Sequence, residues 1–270
     1  MDETTQPGPA KPLPPLTHST PAPAGPGKRE PRKLAAGQGA AWWSEGWQVF
    51  MAAPGTWIGM IVVLLLIMIG LSLIPLLGTL ATSVLSPVFG GGIVLGCHAL
   101  AKGRPFTVGV LFDGFSSGRF MPLFIVGLLY LAAMFVLWIV VIVVILGVAG
   151  GAGIFSAMST EPSQLGMALL GSIGITGLIL APFVLVAGTA IMMAYWFAPQ
   201  LVVLNGEEPI AAMQKSFRAS WQNLGAMAVY GLIFIGLAIV ASIPLGLGWF
   251  VLGPVVAGSW YASWREMFDA

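Results

Sequence analysis

The 270-residue chain is 57% hydrophobic and 8% charged, with 11 Lys and Arg against 10 Asp and Glu, a net charge of +1 and a mean hydropathy of +0.93. A soluble domain carries roughly 25% charged residues, so this composition excludes one and specifies an integral membrane protein; no nucleic-acid partner is expected of a nearly neutral chain. The single cysteine, Cys97, has no partner for an intramolecular disulfide and reads as a small apolar residue near a helix end.

Residues 1–37 hold nine prolines among Ala, Gly, Thr and Ser, and end in Lys28, Arg29, Arg32 and Lys33. Such a segment buries too little apolar surface to offset its ordering entropy and is expected to be a disordered cytoplasmic tail. The basic cluster fits anionic headgroups or simple positive-inside topology. More than fifty residues precede Trp57, which a signal peptide does not allow, so the first span is expected to remain as an anchor.

A spanning helix needs about 20 mainly apolar residues. The pattern predicts six, at 57–75, 80–101, 122–149, 165–197, 224–243 and 248–264. The fourth is too long for a perpendicular span, and the sixth is short and contains Pro254. Lys and Arg fall before the first span, between spans 2 and 3, between spans 4 and 5, and after span 6, which puts all eleven on one side. The opposite loops carry Glu161 as their one charge. Both termini are therefore expected in the cytoplasm.

Ahead of the first span stand Glu45, Gly46, Trp47 and Pro54, and the same spacing returns before the third as Asp113, Gly114, Phe115 and Pro122. Before the fifth it reads Lys215, Ser216, Phe217 and Leu224, without the acid or the proline. At helical spacing Trp43, Trp47, Phe50 and Met51 share a face in the first copy, Leu111 and Phe115 pair in the second, and Met213, Phe217 and Trp221 align in the third. These are expected to be amphipathic helices lying in the membrane interface, with Pro54 and Pro122 breaking the chain before the spans they precede. Further, "LSLIPLLGTLATSVLSPVFGGG" at 71–92 matches "VASIPLGLGWFVLGPVVAGS" at 240–259. The fold class is thus all-α, a six-helix transmembrane domain at 38–270 with three interfacial helices and a threefold repeat of units near 38–101, 106–197 and 209–264. Pro87, Gly92 and Gly96 in span 2, and Gly253, Pro254 and Ala257 in span 6, are expected to let helix backbones pack closely.

Five stretches, "GQGAAWWSEGWQVFMAAPGTWIG", "LSPVFGGGIVLGCHALAKGRPF", "LFDGF", "FAPQLVVLNGEEPIAAMQKSFRASWQN" and "IPLGLGWFVLGPVVAGSWYASWREMF", resemble an uncharacterised family of proteobacterial inner-membrane proteins, over about residues 37–268. More distantly the chain resembles the YciC-type membrane proteins and the membrane domain attached to some glycerophosphodiester phosphodiesterases. The resemblance implies a six-span inner-membrane fold and carries no catalytic residue or cofactor. The chain departs from the family in "VFMAAP", where relatives tend to have basic residues before the proline, and in its long Pro-rich tail.

The predicted spans contain no Asp, Glu, Lys or Arg, which argues against a proton-coupled pump and excludes paired-aspartate proteolysis. Neither metal-binding nor nucleotide-binding motifs occur. His98 reads either as a ligand or as a helix-end histidine, and Glu207 and Glu208 as acid–base groups or a solvated turn. Thr79, Thr82, Ser83 and Ser86 fall on one side of span 2 and either line a polar path or bond to carbonyls one turn back and to neighbouring helices. "GSIGITG" at 171–177 admits close packing or a hinge. The expectation is a non-enzymatic inner-membrane protein without cofactor or metal, acting through membrane lipids, protein partners or copies of itself. The alternatives are a small-molecule permease or exporter, and a lipid-modifying enzyme using Glu207, Glu208 or Asp113.

Overall fold

The computed structural model describes residues 30–75, 77–157 and 162–269, and every regular element among them is helical. In chain order these are α1 (Gln38–Ala52), α2 (Pro54–Ser72), α3 (Leu77–Ala101), a 3₁₀ turn (Val108–Phe112), α4 (Asp113–Ser116), α5 (Phe120–Ala157), α6 (Pro162–Trp196), α7 (Ala198–Asn205), α8 (Pro209–Gln222), α9 (Leu224–Ser242), α10 (Trp249–Trp264) and a π-helical turn (Arg265–Asp269). Five stretches are long and apolar enough to cross a membrane: Pro54–Ser72, Gly78–Ala101, Phe120–Val148, Thr176–Asn205 and Leu224–Ser242. The sixth predicted span forms α10, which at 16 residues is shorter than these five.

The breaks ahead of α2, α5 and α9 have three different causes. Ala53 is held at φ −153° ahead of Pro54, which occupies the first turn of α2 where its missing N–H has no partner to lose. Pro122, by contrast, lies within the first turn of α5, and the chain breaks earlier, with Gly118 at φ +71°. The third break needs no proline: at Asn223 the side-chain amide bonds the Ala219 carbonyl at 2.9 Å and ends α8. The middle interfacial helix of the sequence reading is only a 3₁₀ turn followed by the four residues of α4.

The chain forms two compact units. The first contains the described residues up to Gly127 together with Ala194–Ala270. Its core is built on small residues that bring backbones together. A β-carbon added at Gly46 would fall on the Val255 carbonyl oxygen of α10, and one at Gly114 on the Val88 carbonyl oxygen of α3. In α8 the corresponding small residue, Ser216, is fully buried and its hydroxyl accepts from the Phe197 amide at 2.9 Å. Two hairpins close in the same manner, Gly78 against Leu71 and Gly248 against Ala241.

Around these contacts aromatic groups tie α1 to its neighbours. Trp43 stacks on Tyr230 with centroids 4.7 Å apart and donates to its carbonyl at 3.2 Å. Tyr230 Oη shares a 2.9 Å hydrogen bond with Ser259 Oγ of α10. Residues 30–37, which composition groups with the tail, include a docked strap. Arg32 N donates to the Met267 carbonyl at 3.0 Å, Leu34 N donates to Asn223 Oδ1 at 2.7 Å, and Asn223 Nδ2 donates to the Arg32 carbonyl at 3.0 Å. With Trp42 Nε1 donating to Glu266 at 2.6 Å and Arg265 paired to Glu45 at 2.6 Å, the strap, the start of α1 and the C-terminal turn meet at one end of this unit.

The second unit is Leu128–Met193, the later part of α5 and most of α6. Its described side chains are mainly exposed and apolar, among them Phe135, Trp138, Leu146 and Leu185, while Leu137, Val141, Thr176 and Leu180 are buried. Added β-carbons at Gly171, Gly174 and Gly177 meet nothing among the described residues.

Candidate functional site: a polar cavity at the end of α3

The last turns of α3 carry small residues on the side that receives the segment 106–116. A β-carbon at Gly92 would come within 2.6 Å of the carbonyl oxygens of Val110 and Leu111, and one at Gly96 within 2.7 Å of Val110 and 2.8 Å of the Phe106 ring. The Gly92-x-x-x-Gly96 pair thus seats a short non-spanning segment. Gly114 completes the seat from the other side. Phe115 and Phe112 pack edge-on against Phe89 of α3, with centroids at 5.3 and 6.4 Å.

This docking leaves an open cleft of about 320 Å³ beside the end of α3 and α4, lined by Leu95, His98, Ala99, Arg104, Asp113, Ser116 and Ser117, of which Arg104 and the two serines are exposed and Asp113 is half-buried. His98 Nδ1 is 3.0 Å from Tyr261 Oη, and its ring stands edge-on to those of Tyr261 and Trp264. With the tyrosine donating, the ring proton lies on Nε2. Among the described residues no ion pair joins Arg104 to Asp113 or to any other group; the three that occur are Lys215–Glu207, Arg218–Glu30 and Arg265–Glu45. Arg104 and Asp113 therefore border one cleft with no ion pair between them.

The residues expected at the membrane interface divide by position. Trp43, Phe50 and Leu111 are buried within the first unit, Met213 is half-buried, and Trp47, Met51, Phe115, Phe217 and Trp221 are exposed. In α1 the buried face is Gly39, Trp42, Trp43, Gly46, Val49 and Phe50, set by contact with α9 and α10. Of the packing residues, Pro87, Gly92, Gly96 and Pro254 are buried, Gly253 faces Ile61 of α2, and Ala257 is partly buried. In the polar run, Ser83 Oγ donates to the Thr79 carbonyl at 2.9 Å, Ser86 Oγ accepts from Tyr195 Oη at 3.2 Å, and Thr79 is exposed. Glu207 pairs with Lys215 at 2.8 Å.

Sequence reading did not single out Arg104, Ser116, Ser117, Gln200, Asn223 or Tyr230. Gln200 is fully buried and donates to the Trp260 carbonyl at 2.8 Å, while Trp260 Nε1 donates to the Trp196 carbonyl at 2.8 Å, linking α6 and α7 to α10. A lone amide inside an apolar stretch was the available signal, since buried polar groups need partners. For the cavity the signal was weaker: "DGFSSGR" reads as an ordinary polar turn.

Long apolar helices free of Asp, Glu, Lys and Arg and exposed apolar side chains along them define an integral, all-helical membrane protein. The chain is similar to a probable inner membrane protein of Burkholderia thailandensis, 28% identical over 214 residues, covering 79% of this chain and 78% of the relative. No protein-family model matches the chain, and no solved structure does.

Proposed function

We propose that the chain is a non-enzymatic inner-membrane scaffold that holds lipids, protein partners or a second copy of itself at its cytoplasmic face. Six spans, both termini cytoplasmic, and a threefold repeat complete the reading. The observation that carries it is the end where strap, α8–α9 junction and C-terminal turn meet. Near it the exposed aromatics Phe217 and Trp221 stack at 6.2 Å on a helix that also bears Arg218, exposed and paired to Glu30 at 2.9 Å. Aromatic rings beside cations suit the headgroup layer of a cytoplasmic leaflet.

The repeat draws support from contacts that shift by one unit each time. Gly46 abuts the residue after Pro254, Gly114 abuts the residue after Pro87, and Ser216 receives the amide of Phe197, two residues before Pro199. Each lying segment is thus docked on the proline-bearing second span of the unit before it, with the first docked on the last. The sixth span would use α10 and the turn after it, 249–269, as one continuous length. The absence of a sheltered charge in the long helices and the satisfied hydroxyls of Ser83 and Ser86 support packing over a transport path. The family named from the sequence, including the YciC-type and phosphodiesterase-linked proteins, is kept as part of this proposal; the relative found supports the inner-membrane class.

Chemical cross-linking in membranes followed by purification in mild detergent tests the reading. The expected result is recovery with bound lipid, a partner or a second copy. Recovery of bare monomer alone would count against it. Flux of a metabolite panel into liposomes, abolished by Ser83→Leu and Ser86→Leu, would favour a permease instead.

A further inference from the structure

We infer that the cavity at the end of α3 binds a zwitterionic phosphate ester, a phosphate joined to an ammonium as in the phosphoethanolamine headgroup. The inference rests on the scaffold reading only in placing this end of α3 at a membrane surface. Its first support is charge. Arg104, which is exposed, and Asp113, which is half-buried, border one open cleft and pair neither with each other nor with another described residue, although Lys215, Arg218 and Arg265 each have a carboxylate at 2.8, 2.9 and 2.6 Å. A purely anionic ligand would meet the Asp113 carboxylate, and a purely cationic one the Arg104 guanidinium. A ligand carrying both signs satisfies the two together.

The remaining lining fits the same chemistry. Ser117 Oγ accepts from the Arg119 amide at 3.4 Å and so keeps its own proton to donate, and Ser116 Oγ makes one long contact, 3.5 Å, to the Asp113 carbonyl. These hydroxyls supply neutral donors for phosphate oxygens beside the guanidinium. About 320 Å³ accommodates a headgroup. Two apolar groups on the same short segment, Phe112 and Phe115, remain exposed at 45% and 38% and offer the chains of a lipid an adjacent surface.

The full chain is reconstituted from vesicles containing phosphatidylethanolamine and phosphatidylglycerol in equal parts, extracted in mild non-ionic detergent, and its retained lipids quantified by mass spectrometry. Wild type is expected to hold phosphatidylethanolamine above its share. Asp113→Asn is expected to lower the ratio of the two lipids roughly tenfold while lipid is still held, and Arg104→Gln to lower retention of both. Lys102→Gln removes an exposed neighbouring charge outside the lining and should leave the ratio unchanged. Equal ratios in wild type, Arg104→Gln and Asp113→Asn overturn the proposal, as does an effect of Lys102→Gln equal to that of Arg104→Gln. Thermal melting of each variant reports folding. Free phosphoethanolamine forms the second arm: raising the melting temperature of wild type but not of Asp113→Asn assigns the site to a soluble ester, and no shift beside retained lipid assigns it to the membrane. Wild type that keeps lipid indifferently to both substitutions sinks the cavity alone, whereas wild type that keeps neither lipid nor partner sinks the scaffold reading.

Discussion

The second compact unit is the more apolar of the two, yet it buries less of its apolar surface. The first has a buried aromatic core beside its exposed faces: Trp42 and Trp57 are each 1% exposed, and the indole N–H groups find acceptors in Glu266 and the Val49 carbonyl. In Leu128–Met193, Trp138 is 57% exposed and Leu185 70%. The difference lies in the small and polar residues between the large ones. Gly39, Gly46 and Ser259 let backbones approach in the first unit, whereas glycines 147, 171, 174, 177 and 188 of the second meet nothing described when a β-carbon is added. In lipid, apolar side chains gain little from leaving one oily environment for another, so close backbone contact and satisfied polar groups decide which faces pack.

The harshest way to break this contrast is Gly46→Leu. The new side chain would start on the Val255 carbonyl, and a loss of about 3 kcal/mol or more is expected, read as failure to recover monodisperse protein in detergent. Trp42→Ala should follow at about 3 kcal/mol, because it opens a cavity and leaves Glu266 without its donor. Differential scanning fluorimetry would register it, and the same change at exposed Trp138 should lie within about 0.5 kcal/mol. If the two tryptophans cost the same, the distinction between the units fails.

Asn223→Ala sharpens the picture of how the first unit is closed. It removes bonds to Leu34, Arg32 and Ala219 together and should cost about 2 kcal/mol. Limited proteolysis should then cut near residues 30–37 at a protease level that leaves wild type intact. The smallest effect is expected at Gly147→Ala, a helix-interior glycine in open space, which should stabilise by up to about 1 kcal/mol. Spin labels at 47 and 221 should report the membrane interface and labels at 44 and 48 water, with no change in melting.

Helix positions were legible because long apolar stretches are a local signal; α2, α3 and α9 begin or end within a few residues of where hydropathy puts them. The break at Pro54 was legible for the same reason, since proline acts on its immediate neighbours. The break at Asn223 was not, because it depends on an amide whose other partners lie near residue 33. Trp43 and Trp47 look alike in sequence and end on opposite sides of a contact, one stacked on Tyr230 and one exposed.

By itself, then, the sequence determined that this is an integral membrane protein and where its helices run, because desolvation in lipid forces backbone groups into helices wherever charges are absent. It also exposed the acidic, small, aromatic pattern at 45–47 and 113–115. Tertiary structure alone decided what the small residue is for, since only an added β-carbon in three dimensions reveals the carbonyl of Val255 or Val88 beneath it. It alone brought Arg104, in the loop after α3, and Asp113, at the start of α4, to one cleft without pairing them. That arrangement follows from how Gly92, Gly96 and Gly114 seat one backbone on another, a contact that hydropathy does not encode.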